Sequence, residues 1–478
     1  MSGPSFAFVG FGVFVAILLT LSSSIRWRQF VILAASVVFL ASFSHDPVAF
    51  LPLLGFLAAG YIGLRLVTME SSLTLPVAVV SILVLFAWIK KYVFVPNDIW
   101  LTYPYVTIGV SYILFRMLHL IIEARSDHAL ARISPATYLE YLISFNTLVA
   151  GPIQNFDDFA SQQTHGSRNR LSWSIFGEAL ERIIVGLFKT NVLASLFAAW
   201  RLTSLANLHG AVGNPETWIA GAATFVLYPF FLYCNFAGYI DIVIGISLLM
   251  AWRLPENFDR PFSATSFIDF WNRWHITLSA WLKTYVYNPV LLSLLRRVES
   301  KRAESWSAVG AFFITFFLVG VWHGQTAAFL FFGLLQGGGV SVNKLYQIKM
   351  TETLGRPRFR KLAAHPVYVS LARGLTFTWF TFTLTWFWAS WSESKAVWSS
   401  MSLGQWAMIW LAIFLGMSIA LEAWEQLRRL ALSIKWNGES VLYSPRLHSA
   451  WFTALLFVVV VASVIARQAP PEIVYKQF

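Results

Sequence analysis

Long apolar runs separated by short polar turns recur along the whole chain. A run of about 18 or more apolar residues is long enough to cross a bilayer core as a helix. The pattern predicts spans near 5–23, 29–44, 48–66, 73–89, 104–122, 138–153 and 183–199. Further ones fall near 217–234, 238–252, 308–322, 325–342, 370–391, 404–422 and 449–466. Some are too short to cross alone and read as re-entrant or interfacial, which leaves about ten to twelve crossings. Pro104, Gly151-Pro152 and Pro229 interrupt runs and mark kinks or broken helices. One stretch breaks the pattern: from Phe267 to Lys283, Phe267, Trp271, Trp274, Leu278, Trp281 and Leu282 form an apolar stripe at helical spacing, with Arg273, Thr277 and Thr284 on the other side. That pattern predicts an amphipathic helix at the interface or dipping into the protein.

Composition makes the membrane reading general. Of 478 residues, 57% are hydrophobic and 12% charged, against about 25% charged in a soluble domain. Mean hydropathy is +0.62. The deficit of charge is spread along the chain, so this is an integral membrane protein and not a soluble domain with one anchor. The net charge of +12 does not indicate nucleic acid, because the basic residues sit in short loops where the positive-inside rule explains them. Arg296, Arg297, Lys301 and Arg302 mark one cytoplasmic cluster, and Lys344 through Arg373 and Arg428 through Arg446 mark others. The connection near 392–403 carries only Glu393 and Lys395 and belongs outside. Lys90-Lys91 fits this alternation poorly. No Lys or Arg precedes Arg26, so the first run reads as a retained span and not as a signal peptide. Cys234 is the sole cysteine, which leaves no intramolecular disulfide and no Cys-rich metal site.

From Ser305 to Asn343 there is no Asp, Glu, Lys or Arg. As one helix this run would extend about 58 Å, against a core of about 30 Å. The chain must therefore turn within it, and Gly320 and Gly324 bracket His323 as break points. An ionisable side chain in such a run is a site candidate, and imidazole is the group suited to moving protons near neutral pH. The alternative is a buried, neutral, structural histidine. His275 falls on the apolar side of the Phe267–Lys283 stretch and reads equally as a packed histidine bonded to backbone. Phosphate-loop, His-Glu-x-x-His and Gly-x-Ser-x-Gly motifs are absent, so no metal site or serine nucleophile is expected.

The pairing of Phe270-Trp271-Asn272-Arg273-Trp274-His275 with Val321-Trp322-His323-Gly324 resembles the membrane-bound O-acyltransferase family. More narrowly, it is similar to the bacterial branch of alginate O-acetyltransferases and teichoic-acid D-alanyl transfer proteins. Ile108–Tyr112, Val149–Ile153, Phe236–Asp241 and Leu254–Phe258 agree in the same order. Two features depart from that branch. Asn235 and Ala237 replace the usual Asp and Ser, and Tyr287-Asn288-Pro289 continues into Val290-Leu291-Leu292 in place of a Gly-Gly-Asn-Arg turn.

The resemblance implies an all-α bundle around a central tunnel, one integral membrane domain over 1–478, with an acyltransferase core at 109–342 and further helices at 343–478. It implies transfer of an acetyl or D-alanyl group from acetyl-CoA or an acyl-carrier-protein thioester in the cytosol to a hydroxyl of an extracytoplasmic polysaccharide or wall polymer. His323 would be the general base near mid-membrane, reached from both sides. His275 would bind or orient substrate, and Trp322 and Trp274 would shape the tunnel wall. Asn272 and Arg273 would meet the donor or pack the cytoplasmic mouth. Asp241 would pair with a cation or orient a partner. No cofactor is bound beyond the donor. Membrane lipids and a membrane-anchored, hydrolase-like extracytoplasmic protein are the expected partners, in the bacterial cytoplasmic membrane. A transporter or flippase, or a non-catalytic scaffold, are the rival readings; many spans and buried polar groups suit a transporter as well.

Overall fold

A computed structural model describes residues 5–69, 71–166, 171–208, 215–298, 300–436, 439–440, 445–466, 471–472 and 474. The expected all-α class is what forms. In chain order the helices are α1 (Phe6–Thr20), α2 (Ile25–Ala41), α3 (Leu51–Leu66), α4 (Thr74–Ile89), α5 (Val110–Glu123), α6 (Pro135–Ile143) and α7 (Phe156–Gly166). Next come α8 (Trp173–Leu187), α9 (Ser195–Leu208), α10 (Pro215–Leu249), α11 (Phe267–Arg273), α12 (Ile276–Leu282), α13 (Asn288–Leu295), α14 (Lys301–His323) and α15 (Ala327–Leu354). The last six are α16 (Arg356–Ala363), α17 (Pro366–Thr383), α18 (Thr385–Trp388), α19 (Trp391–Ser399), α20 (Leu403–Ser433) and α21 (Pro445–Ala466). A two-residue-per-strand hairpin, Lys435–Trp436 against Glu439–Ser440, is the sheet found among the described residues. Among the described residues, six helical stretches are long and apolar enough to cross a membrane: Pro47–Leu66, Trp173–Leu208, Glu216–Leu249, Ala303–His323, Leu403–Ser433 and Leu447–Ile465. Phe6–Thr20 and Thr74–Ile89 are apolar but shorter.

Three expected elements are corrected. The spans near 217–234 and 238–252 form the single helix α10, which runs on through Pro229 and Asn235. Asn235 falls in the gap between the two expected spans, and its amide is fully used: Oδ1 accepts from Val474 N at 3.0 Å, and Nδ2 donates to Glu472 O at 3.1 Å. The run near 138–153 is helical only to Ile143, because carbonyls on either side of that point are claimed by a side chain. Buried Arg116 on α5 donates to Leu142 O at 2.9 Å and Thr147 O at 2.6 Å, and this holds 144–155 in a non-helical path. The third correction, at Phe267–Lys283, belongs to the site.

The chain divides into two compact units, the first Met1–Asn191, Asn235–Pro255 and Ala462–Phe478, the second Val192–Cys234 and Glu256–Val461. In the first, Asn146 Nδ2 donates to Ser247 Oγ at 2.8 Å and Arg28 to Met250 O at 2.8 Å. Asp241 sits between two cations, Arg182 Nη1 and Lys189 Nζ, each at 2.6 Å. Lys91, awkward for the charge rule, lies with its ammonium 5.2 Å from the Tyr105 ring centre and 5.7 Å from that of Trp100. It is held against aromatic faces.

The second unit is built on two helix pairs. In α14–α15, Gly320 meets Gly333 so closely that a Cβ at 320 would lie 2.2 Å from Gly333 Cα. In the pair α17–α20, Arg373 bonds Glu422, and Glu425 forms an ion pair with Arg260 at 3.7 Å. Arg296 and Arg297 precede α14, and Lys344 and Lys349 lie toward the end of α15, so the open end of the α14–α15 hairpin is the basic one.

Candidate functional site

His323 is the last residue of α14. Gly324 follows in extended conformation (φ −174°, ψ 170°), and α15 begins three residues later at Ala327. The turn forced by the length of the uncharged run therefore falls at the histidine. Gly320 serves a different purpose, the close helix crossing. His323 lies about 33 Å along the helix axis from Lys301, a distance comparable to the whole hydrocarbon core. That places it at the tip of the hairpin, on the end opposite the basic clusters.

The imidazole of His323 is buried, 2% exposed. Its ring centre is 4.6 Å from Trp322, 5.1 Å from Phe387 and 5.9 Å from Phe332. Phe387 and Phe332 in turn pack on one another at 5.3 Å. The walls of this box are thus supplied by α14, α15 and α18.

His275 is brought to the same place by a backbone device that the periodicity concealed. The stripe from Phe267 onward predicts one helix, but α11 ends at Arg273 and α12 starts at Ile276. Between them His275 adopts the left-handed conformation, φ 48° and ψ 53°. For a non-glycine residue this costs about 1–2 kcal/mol, so neighbouring bonds must enforce it. They come from Asn257. Its backbone O accepts from Ile276 N at 3.0 Å, and its side-chain Oδ1 accepts from Thr277 N at 3.1 Å and Thr277 Oγ1 at 2.9 Å. An antiparallel bridge between Phe258 and Trp274 and a bond from Asp259 N to Arg273 O at 3.0 Å complete the clamp.

The same Oδ1 faces His275 Nδ1 at 3.3 Å. A backbone N–H can only donate, so the Asn257 atom near Thr277 N is the oxygen, and the amide orientation is fixed. His275 Nδ1 must then donate. In the neutral ring the lone pair is then on Nε2, the acceptor nitrogen of that tautomer. The His275 ring lies 6.3 Å from Trp322, so the two imidazoles meet the same indole.

The remaining expected residues separate from this pair to different degrees. Trp274 is packed in an aromatic core with Phe258 at 5.1 Å, Phe270 at 5.6 Å and Phe380 at 5.2 Å. It supports the floor beneath His275. Asn272 is exposed. Arg273 is engaged with Asp269 at 3.0 Å and Asp259 at 3.4 Å and so stiffens the clamp loop. Asp241 is in the first unit, with Arg182 and Lys189 as described.

Sequence reasoning missed Asn257 as a site residue, although it stands inside the quoted Leu254–Phe258 motif. It also missed Phe332 and Phe387, which no local pattern marks. A buried polar pair escaped notice as well. Gln336 Nε2, one turn beyond Phe332 on α15, donates to Thr383 Oγ1 at 2.8 Å, one turn before Phe387.

Comparison with known proteins bears on this arrangement. The family model described as "MBOAT, membrane-bound O-acyltransferase family" matches residues 69–387. A teichoic acid D-alanyltransferase of Streptococcus thermophilus is 31% identical over 255 residues, covering 52% of this chain and 60% of that protein. A probable alginate O-acetylase of Pseudomonas aeruginosa is 30% identical over 247 residues, 51% of this chain and 44% of its own. A peptidoglycan O-acetyltransferase of Helicobacter pylori is 31% identical over 240 residues, 47% of this chain and 42% of its own. The chain thus spans about half the length of the curated relatives it matches.

Proposed function

This chain belongs to the membrane-bound O-acyltransferase family, and from that premise we propose that it moves an acetyl or D-alanyl group from a cytosolic thioester to a hydroxyl of an envelope polymer outside the bacterial cytoplasmic membrane. The observation that carries the reading is the pair of imidazoles on one indole, His275 and His323 against Trp322, buried at the tip of the α14–α15 hairpin.

In this reading the donor, acetyl-CoA or an acyl carrier protein, presents its thioester carbonyl beside His323. Neutral His323 takes the proton of the acceptor hydroxyl as its oxygen bonds to the carbonyl carbon. The carbon–sulfur bond then breaks, and the thiolate leaves with the proton held by the imidazolium. Ester and free thiol are the products, and the imidazole returns neutral. Positioned general-base catalysis contributes on the order of 10²–10⁴-fold. His275 aligns the acceptor through Nε2, with Nδ1 tethered to Asn257. A membrane-anchored, hydrolase-like protein outside would hand the polymer on or receive the acyl group.

The purified chain in proteoliposomes, supplied with radiolabelled thioester inside and acceptor polymer outside, tests the proposal. Ester-linked label on the polymer is the expected result. Unmodified substrate crossing the bilayer without ester formation would identify a transporter and overturn it.

A further inference from the structure

The mechanism leaves a half-buried cation, Arg201, unused. Arg201 lies on α9, and its guanidinium carbon sits 3.9 Å from the ring centre of Trp388 and 4.8 Å from that of Tyr228. The two aromatic contacts hold the planar group in place. Its Nε and Nη2 are shielded from solvent and have no hydrogen-bond partner among the described residues. A guanidinium with donors shielded and unanswered is unfavourable. Such a group persists where a ligand completes it.

The position is informative. Trp388 follows Phe387, whose ring packs on His323 at 5.1 Å, so the guanidinium is stacked one residue along the chain from a wall of the imidazole box. Beyond it stands α19, in the connection with little basic charge that the positive-inside rule assigns to the outside. Leu208, at the end of Arg201's own helix, is packed in a core with Val397, Met401 and Trp406 of that same region. Glu393 is near enough for its charge to act on Arg201 but forms no ion pair with it. Hydrogen bonds from Ser390 Oγ at 2.7 Å and Ser390 N at 2.8 Å hold the Glu393 carboxyl below the usual range, so it is ionised at neutral pH.

We propose that Arg201 is the anion-binding subsite for the acceptor, a fork held between Trp388 and Tyr228 that takes a carboxylate or phosphate of a polyanionic envelope polymer beside His323. Two donors of a rigid fork match the two oxygens of either anion. Glu393 opposes the anion and sets a weak, exchangeable affinity. The inference rests on the acyltransferase reading for the word acceptor, but its test is a binding measurement that does not need turnover.

The full chain is reconstituted in zwitterionic nanodiscs and titrated with a hexameric polyuronate, a hexameric polyglycerol phosphate, a neutral hexasaccharide and short-chain phosphatidylglycerol. One of the two polyanions is expected to bind at least about tenfold more tightly than the neutral chain, and which one it is assigns carboxylate or phosphate. Arg201→Gln should lose that preference and Arg201→Lys should keep part of it. Glu393→Gln, which retains a side chain able to complete the capping box at Ser390, should tighten binding severalfold and serves as the variant whose fold is least disturbed. Polyanion binding that is unchanged in Arg201→Gln and Glu393→Gln overturns the proposal, as does Arg201-dependent binding of phosphatidylglycerol alone. Thioester turnover by wild type, measured in parallel, reports separately on the acyltransferase reading.

Discussion

At the residue scale the site depends on Asn257 as much as on the histidines. One oxygen serves Thr277 twice and meets His275 Nδ1, and so fixes both the left-handed backbone at 275 and the tautomer of its ring. Asn257→Ala leaves a buried backbone N–H and a hydroxyl without their acceptor, at about 1–3 kcal/mol. It also frees the imidazole to turn. The expected outcome is a lowered thermal midpoint together with a fall in kcat of at least tenfold and little change in donor KM. A fall in midpoint with normal kcat would limit Asn257 to a structural role. The sequence made His275 and His323 visible as ionisable groups in apolar surroundings, and it displayed the Leu254–Phe258 motif. It did not reveal that the motif and His275 are the two halves of one clamp, because the contact spans 18 residues and depends on a backbone conformation that no side-chain pattern encodes. Phe387 was invisible for the same reason: a phenylalanine among many, given meaning only by packing on His323.

At the scale of elements, apolar runs located most helices, and errors came where a side chain overrode the run. Arg116 captures the carbonyls of Leu142 and Thr147, on either side of Ile143, and ends a helix that hydrophobicity would continue. Asn235 finds partners at Glu472 and Val474, and α10 passes through the polar gap between the two expected spans. In α14–α15 the uncharged run demanded a turn, and the turn is at Gly324. Gly320, the other candidate, is needed where the two helices cross, since a Cβ there would sit 2.2 Å from the backbone of Gly333. Gly320→Ala is therefore expected to cost about 1–3 kcal/mol through overpacking. In detergent this would be read as an earlier thermal transition with His323 itself untouched. An unchanged transition would mean that the hairpin tolerates separation.

At the scale of the whole molecule, each unit carries its own polar anchor, the Asp241 cation pair in the first and the imidazole box in the second. Charge placement orients the second unit, with basic ends at Arg296–Arg302 and Lys344–Lys361 and a basic-poor end at α19. Cys234 is buried, so replacing it leaves a background for single reporters. A membrane-impermeant maleimide should label Ser392→Cys in intact cells and Arg358→Cys only after lysis. Labelling in the reverse order would invert the sidedness of the reaction.

The most direct test of the central claim is the initial rate of acyl transfer by His323→Ala in proteoliposomes, with radiolabelled thioester and acceptor polymer on opposite sides. A general base in the buried box predicts a loss of at least about 10²-fold, with the variant as monodisperse as wild type and its thermal transition retained. Turnover within a few-fold of wild type would contradict the account and return His323 to the role of a packed residue at the end of a helix.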